Sequence, residues 1–423
     1  MKRTLLFIAL FSSLITFAQF NSNFENRTLR LDYVHAGNHN SHVCYFDGFR
    51  IEPFWGGTTS NLIDTMEYGN YFFKVFDKNS GELIYSRGYS SLFGEWQTTL
   101  ESKEISRSFF ESVVMPLPRN EAEIVLYYRN KKGNFDEMYR KTFSPADYFV
   151  TTELRMPYPS FDTHIGNTDI SKTVDIVILP DGYTKDEMGD FIADCQKFAD
   201  ALFAYEPYKS RKSDFNIRGI LAPSLESGSD IPADSIYVNT ILSTSFYTFD
   251  SERYNMITDH YSIRDLAANA PYDQIYVLVN TSKYGGGAIY NFYSVSVTGS
   301  EASDKIIVHE FGHAFAGLGD EYYDSSTSYN DFYPLDVEMW EPNITTLVDF
   351  DNKWKHLMDP DTPIPTPSTP EYKNTIGVFE GGGHSAKGIY RPVQDCLMNT
   401  FRGEIFCPAC TEAINKMIDF YTK

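Results

Sequence analysis

The chain's 423 residues exceed a single typical domain, and 36 basic against 57 acidic side chains leave a formal charge of -21. Such a field repels phosphate backbones and anionic membrane surfaces within a Debye length, which makes nucleic acid a poor partner. An aromatic content of 16%, with 30 Tyr and 33 Phe, sets disorder aside as well.

Residues 1–18 read as a secretory signal peptide. Lys2 and Arg3 precede the apolar run Leu5 to Phe11, and Thr16-Phe17-Ala18 offers a small-residue cut site before Gln19. The run is too short for a permanent membrane anchor and no cysteine lies at the cut to take a lipid, so export to the periplasm, cell surface or medium is expected. Residues 19–150 alternate short extended runs (Leu29 to Val34, Tyr71 to Phe76, Val113 to Leu117, Ile124 to Tyr128) with turns at Asp77 to Glu82 and Asn130 to Asn134. That pattern predicts a β-sandwich, with Trp55 and Trp96 buried inside it. His35, His39 and His42 are read as a polar loop rather than a second metal site.

The prolines of Met156-Pro157-Tyr158-Pro159 mark a linker over residues 151–165. Residues 166–423 then alternate strand and helix. Val174 to Leu179, Phe215 to Leu221 and Gln274 to Asn280 are β-branched or apolar runs. Lys185 to Tyr205 is amphipathic, with Met188, Phe191, Ile192, Cys195, Phe198, Ala199 and Leu202 on one side. The expected class is therefore α+β: an N-terminal sandwich followed by an α/β domain.

The second domain is organised around Val308-His309-Glu310-Phe311-Gly312-His313, an HExxH motif. On a helix, His309 and His313 lie one turn apart and can grip one ion, while Ile307, Phe311, Ala314 and Leu318 form an apolar stripe facing away. Zinc needs imidazole nitrogens held rigidly about 2 Å away, and a helix backed by core contacts supplies that rigidity. Glu310 sits where a carboxylate reaches a metal-activated water without ligating the ion, the general-base position. The helix should stop at Gly317 or Gly319 and reverse. The stretch resembles a metzincin, although it departs from HExxHxxGxxH: Ala316 is the eighth residue, and Gly317 and Asp320 each fall one place late. Asp320 is the expected third ligand, with Glu321 its rival. Met398, in Cys396-Leu397-Met398, is the candidate for the methionine turn beneath the metal; the tyrosine often found two places later in metzincins is Thr400 here.

HEFGHAFAGLGDEY, then CLM, then Phe406-Cys407-Pro408-Ala409-Cys410 together resemble the bacterial immunoglobulin-A-peptidase family of metallopeptidases. The resemblance implies a metzincin-like α/β zinc-peptidase domain with an active-site helix, one catalytic zinc ion and a protein substrate. Cleavage of immunoglobulin itself does not follow from it. In metzincins an edge strand near Gly285-Gly286-Gly287-Ala288 pairs with extended substrate, so backbone recognition there is implied too. The prolines at 360, 363, 365, 367 and 370 and the run Gly381-Gly382-Gly383-His384 read as an irregular cleft wall or lid, with His384 read as a surface histidine and contact with substrate or metal as the alternative.

Five cysteines in an exported chain leave at least one unpaired. Cys396, Cys407 and Cys410 cluster beside the methionine turn, and a disulfide from Cys396 to either of the others would brace it. A redox reading of Cys407-Pro408-Ala409-Cys410 lacks its βαβ context, and a structural zinc site lacks a fourth ligand. Cys195 reads as a buried thiol. The mechanism expected overall is zinc-assisted hydrolysis of peptide bonds with Glu310 as base; the competing reading is an adhesion or glycan-binding protein on a non-catalytic zincin scaffold.

Overall fold

A computed structural model describes residues 19–323, 333–400 and 405–423; the expected signal peptide lies outside them. The first half holds two antiparallel sheets. One has the order β2-β1-β5, from Ser41–Glu52, Phe24–Asn38 and Arg107–Pro118; the other has the order β4-β3-β6-β7, from Leu83–Tyr89, Tyr71–Asp77, Ala122–Arg129 and Phe135–Phe143. Leu29, Leu31 and Tyr33 of β1 pack with Phe73 and Val75 of β3 and Ile124 and Leu126 of β6 in one core, which makes the pair a sandwich. The turns at Asp77 and Asn130 close hairpin ends, with the Asp77 carboxylate accepting the Asn79 and Ser80 amides.

Alternation along Leu29 to Val34 anticipates a solvated outer face, yet Arg30 is 1% exposed and Asp32 fully buried. The reason is docking. The outer face of β1 lies against the helix His260–Ala267 of the second half, where Arg30 pairs with Asp265 at 2.8 Å as well as with Asp32 and Glu52. His35 and His42 are not a loop either: they face each other from β1 and β2 with ring nitrogens 3.0 Å apart, and His35 Nδ1 lies 2.9 Å from Glu111. Burial lowers His42 to about 4, so it stays neutral.

The second half is built on a six-stranded sheet of order β12-β13-β11-β9-β10-β8: Gly286–Ile289, Tyr293–Val297, Gln274–Val279, Val174–Asp181, Phe215–Ile220 and Ser160–Ile165. The four central strands are parallel; β12 and β8 run antiparallel at the two edges. Strand β8 falls within the segment read as a linker. The helix read over Lys185 to Tyr205 is a capped turn at Lys185–Glu187 followed by Met188–Leu202, and Ile192 is exposed although its spacing put it on the apolar side. One face of this sheet packs on that helix, on the HExxH-bearing helix Ser303–Ala316 and on the terminal helix Pro408–Thr422. The opposite face buries Leu92, Phe93, Trp96 and Phe109 from the first half. Trp55 and Trp96 are both buried, but Trp96 lies in the core beneath the second sheet and not within the sandwich. The halves therefore share a core.

Glycine and proline composition suggested an irregular wall around residue 381. Instead Phe379–Gly382 (β14) and Ser385–Arg391 (β15) form a hairpin whose two turn residues, Gly383 and His384, both have positive φ. No helix among the described residues is long and apolar enough to cross a membrane.

Candidate metal centre and cleft

The HExxH helix is buried nearly all round: Ile306, Ile307, Val308, Phe311, Ala314 and Phe315 are each 3% exposed or less. Ile306, His309, Glu310 and His313 are the residues of the helix that line a cleft of about 560 Å³. Glycine ends the helix as its position suggested. Gly317 takes φ 66°, ψ 28°, and its N–H donates to the Gly312 and His313 carbonyls. The reversal brings Asp320 back over the helix. A Cβ at residue 317 would also meet the Trp340 ring at 2.9 Å. Gly317→Ala is therefore expected to cost about 1–2 kcal/mol in urea unfolding and to weaken metal retention on dialysis; wild-type values for both would refute this account of the turn.

His309 Nε2 and His313 Nε2 lie 3.0 Å apart, and Asp320 Oδ1 lies 3.2 Å from each. On the far side of each ring, Nδ1 faces a carbonyl: Leu397 O at 3.0 Å for His309 and Leu318 O at 2.5 Å for His313. A carbonyl only accepts, so Nδ1 carries a proton in each ring and Nε2 is the atom turned toward the other ring and the carboxylate; once a ring is neutral that nitrogen offers a lone pair. Three acceptors then converge on one point, and a cation relieves their repulsion. The edges are close to the ~3.3 Å that tetrahedral bonds of about 2 Å to nitrogen and oxygen require. Burial opposes charge on His313, yet Asp320 and Glu310 raise it to about 9. Burial also works against the Asp320 carboxylate, but His313, His309 and His384 hold it well below its ordinary range. The environment favours positive charge between these groups.

Glu310, from the same helix face, opens onto the cleft. Burial raises its carboxyl above the usual range against the pull of the two histidines. Gly286 of β12 passes above it: a Cβ there would sit 3.4 Å from Glu310 Cγ. The rim of β12 is less open than the sequence implied, because the Gly286 N–H donates to Arg253 O and its carbonyl accepts from Asn255 N–H. Pairing with an extended ligand at Gly286 is blocked by that segment.

Met398 is fully buried, and a Cβ on Gly312 would meet its sulfur at 3.1 Å, so the thioether lies against the helix at the residue before His313. The turn is tight, with Asn399 and Thr400 N–H both donating to Cys396 O. It also grips both sides of the centre: Leu397 O accepts from His309, and Met398 O accepts from the Glu321 N–H at 2.8 Å. Glu321 points away from His309 and His313, toward Cys396, Cys407 and Cys410, so the structure separates the two rival carboxylates. Those three cysteines are thiols, with Cys396 and Cys410 sulfurs 3.9 Å apart, and the expected bracing disulfide is not formed.

Long-range packing delivers further cleft residues, and of these the sequence pointed only to His384. His384 Nε2 lies 3.2 Å from Asp320 Oδ2, placed there by Gly383 N–H and His384 N–H bonding to the Asp320 and Tyr322 carbonyls. Asn343 brackets Gly319, accepting from its N–H and donating to its carbonyl. From the sandwich half, Asn70, Ser90 and Glu95 line the cleft opposite the helix. Glu95 accepts from the Tyr254 hydroxyl, and burial raises its carboxyl to about 8.

The family described as IgA Peptidase M64 matches residues 165–372 and 368–418, and the one described as Peptidase M64 N-terminus matches residues 19–140. No curated protein matches the chain.

Proposed function

The chain belongs to the IgA Peptidase M64 family, a family of metallopeptidases acting on protein substrates, and from that premise we propose that it is an exported zinc endopeptidase of metzincin-like fold. One observation carries the reading: His309 Nε2, His313 Nε2 and Asp320 Oδ1 converge within 3.2 Å beside the Glu310 carboxylate on the floor of a cleft. The antiparallel edge strand Gly286–Ile289 along that cleft, the glycine reversal at Gly317 and the Met398 turn support the fold assignment. Export rests on the leader at residues 1–18.

His309, His313 and Asp320 would hold the ion. Bound there, zinc supplies a Lewis acid for the scissile carbonyl and lowers the pKa of water. Glu310 takes the proton of the attacking water and returns it to the departing amine nitrogen; a carboxyl raised by burial suits both transfers. His384 and Tyr322 flank Asp320 and keep its second oxygen occupied, which fixes the direction of the first. The half-cleft donated by Asn70, Ser90 and Glu95 gives the sandwich a share in substrate selection.

The test uses the full mature chain. It should carry zinc by elemental analysis and digest a denatured protein mixture, and a chelator should abolish digestion until zinc is restored. His309→Ala should lose activity and one equivalent of metal. Undiminished digestion in chelator, or by the His309 variant, would refute the proposal; absence of digestion with retained glycan binding would favour the scaffold reading.

A further inference from the structure

A second group of metal-ligating side chains lies behind the first. Glu321, Cys396, Cys407 and Cys410 each present a ligand atom within 4.8 Å of the others, and all four residues are buried. We infer that these four residues form a second, structural zinc site, with three thiolates and one carboxylate as its tetrahedral ligands.

The distances suit that ion. Zinc bonds of about 2.3 Å to sulfur and about 2.0 Å to oxygen put tetrahedral neighbours roughly 3.8 Å apart for two sulfurs and roughly 3.5 Å apart for sulfur and oxygen. Cys396 and Cys410 sulfurs are 3.9 Å apart, and Glu321 Oε1 lies 3.2 Å from Cys410 Sγ and 3.9 Å from Cys407 Sγ.

A disulfide is the alternative use of two of these sulfurs, and it fits less well. It would need them at about 2.05 Å. It would also leave the third cysteine and the carboxylate facing each other in a buried space. Glu321 is fully buried, and its Oε2 has no hydrogen-bond partner among the described residues, an expensive arrangement for a carboxylate unless something else satisfies it. A cation uses all four groups at once.

The surroundings are those of a thiolate site. Cys407 N–H points at Cys396 Sγ at 3.3 Å and Cys410 N–H at Cys407 Sγ at 3.5 Å, the latter from the first turn of the terminal helix. Asn343 donates to Glu321 Oε1 at 3.0 Å, and Arg391 acts on the same carboxylate. These donors and the positive end of the helix offset the negative charge that three thiolates and a carboxylate leave on a divalent ion. The four ligands come from the segment carrying Asp320, from the turn carrying Leu397 and Met398, and from the terminal helix. An ion there would lock the supports of the catalytic centre together from behind.

Cobalt(II) distinguishes the two centres, because only thiolate ligation gives an intense near-ultraviolet sulfur-to-metal band. Reduced, metal-free full chain should take up two equivalents of cobalt. The double variant His309→Ala, His313→Ala should take up one equivalent and keep the whole sulfur band. Cys407→Ser should weaken the band, the combined Cys396→Ser, Cys407→Ser, Cys410→Ser variant should abolish it, and Glu321→Gln should shift it. The band in the double variant needs no cysteine variant to fold and no activity from the enzyme, so this centre is judged separately from the catalytic one. A double variant with no sulfur band would overturn the inference, as would Cys396 and Cys410 peptides found disulfide-linked in protein isolated without reductant.

Discussion

Glu310→Gln is expected to keep its fold and its metal while kcat/KM toward a peptide substrate falls by about 10²–10⁴-fold, the range general-base catalysis contributes. The substitution keeps the shape of the side chain and removes only its ability to accept and return a proton. Because His309, His313 and Asp320 converge without help from Glu310, zinc content should be unchanged. Gly286 closes over Glu310, leaving little freedom for another group to substitute for it. The measurement is kcat/KM on a fluorogenic peptide beside zinc content by elemental analysis. Activity within tenfold of wild type would sink Glu310 as the base, and loss of zinc would show that it acts as a ligand.

Arg30→Leu is expected to give the largest stability loss, about 3–5 kcal/mol at neutral pH, the usual penalty for removing one partner of a buried ion pair. Arg30 is 1% exposed and serves Asp32, Glu52 and Asp265 at 2.8–3.3 Å; Arg50 remains for Asp32, but Glu52 and Asp265 lose their guanidinium. Burial already holds the Asp32 and Glu52 carboxyls above their ordinary range despite Arg30, and without it they should rise further. A carboxyl whose folded pKa exceeds its unfolded one binds its proton more tightly in the native state. Its penalty is therefore full above the folded pKa and shrinks as pH falls through that value. Urea unfolding of wild type and variant at pH 7 and pH 5 should show the deficit narrowing toward acid. A loss under about 1 kcal/mol, or a deficit that widens toward acid, would contradict the account.

The parts of the molecule that sequence reading reached are those set by short-range geometry. His309, Glu310 and His313 are placed by helical period, and Gly317 announces its own reversal because few other residues take positive φ. Asp320 follows from that reversal. Strand runs such as Val174 to Leu179 are legible for the same reason. Asn343 and Glu95 are not, and His384 was reached only as an alternative to a surface histidine, since each arrives at the cleft through contacts that no local period encodes. The cysteine cluster shows the limit well. Its three sulfurs lie within fifteen residues, but Glu321 is seventy-five positions before Cys396 and its spacing also suited the group of His309 and His313. Which way it points depends on Asn343 and on the Met398 carbonyl. Strand β8 was hidden by the prolines just before it, and the burial of Arg30 by a partner helix more than two hundred residues away.

The insertion of Leu92, Phe93 and Trp96 beneath the second sheet has a consequence for how such a cleft can be retuned. One jaw bears Glu95, the neighbour of an anchored indole; the other bears Glu310, on a helix riding the far side of the same sheet. The gap between them is set by interlocked solids rather than by a hinge. Selectivity is then free to drift through loop tips and side chains at the mouth, whereas any change in aperture has to be negotiated by both halves of the chain at once.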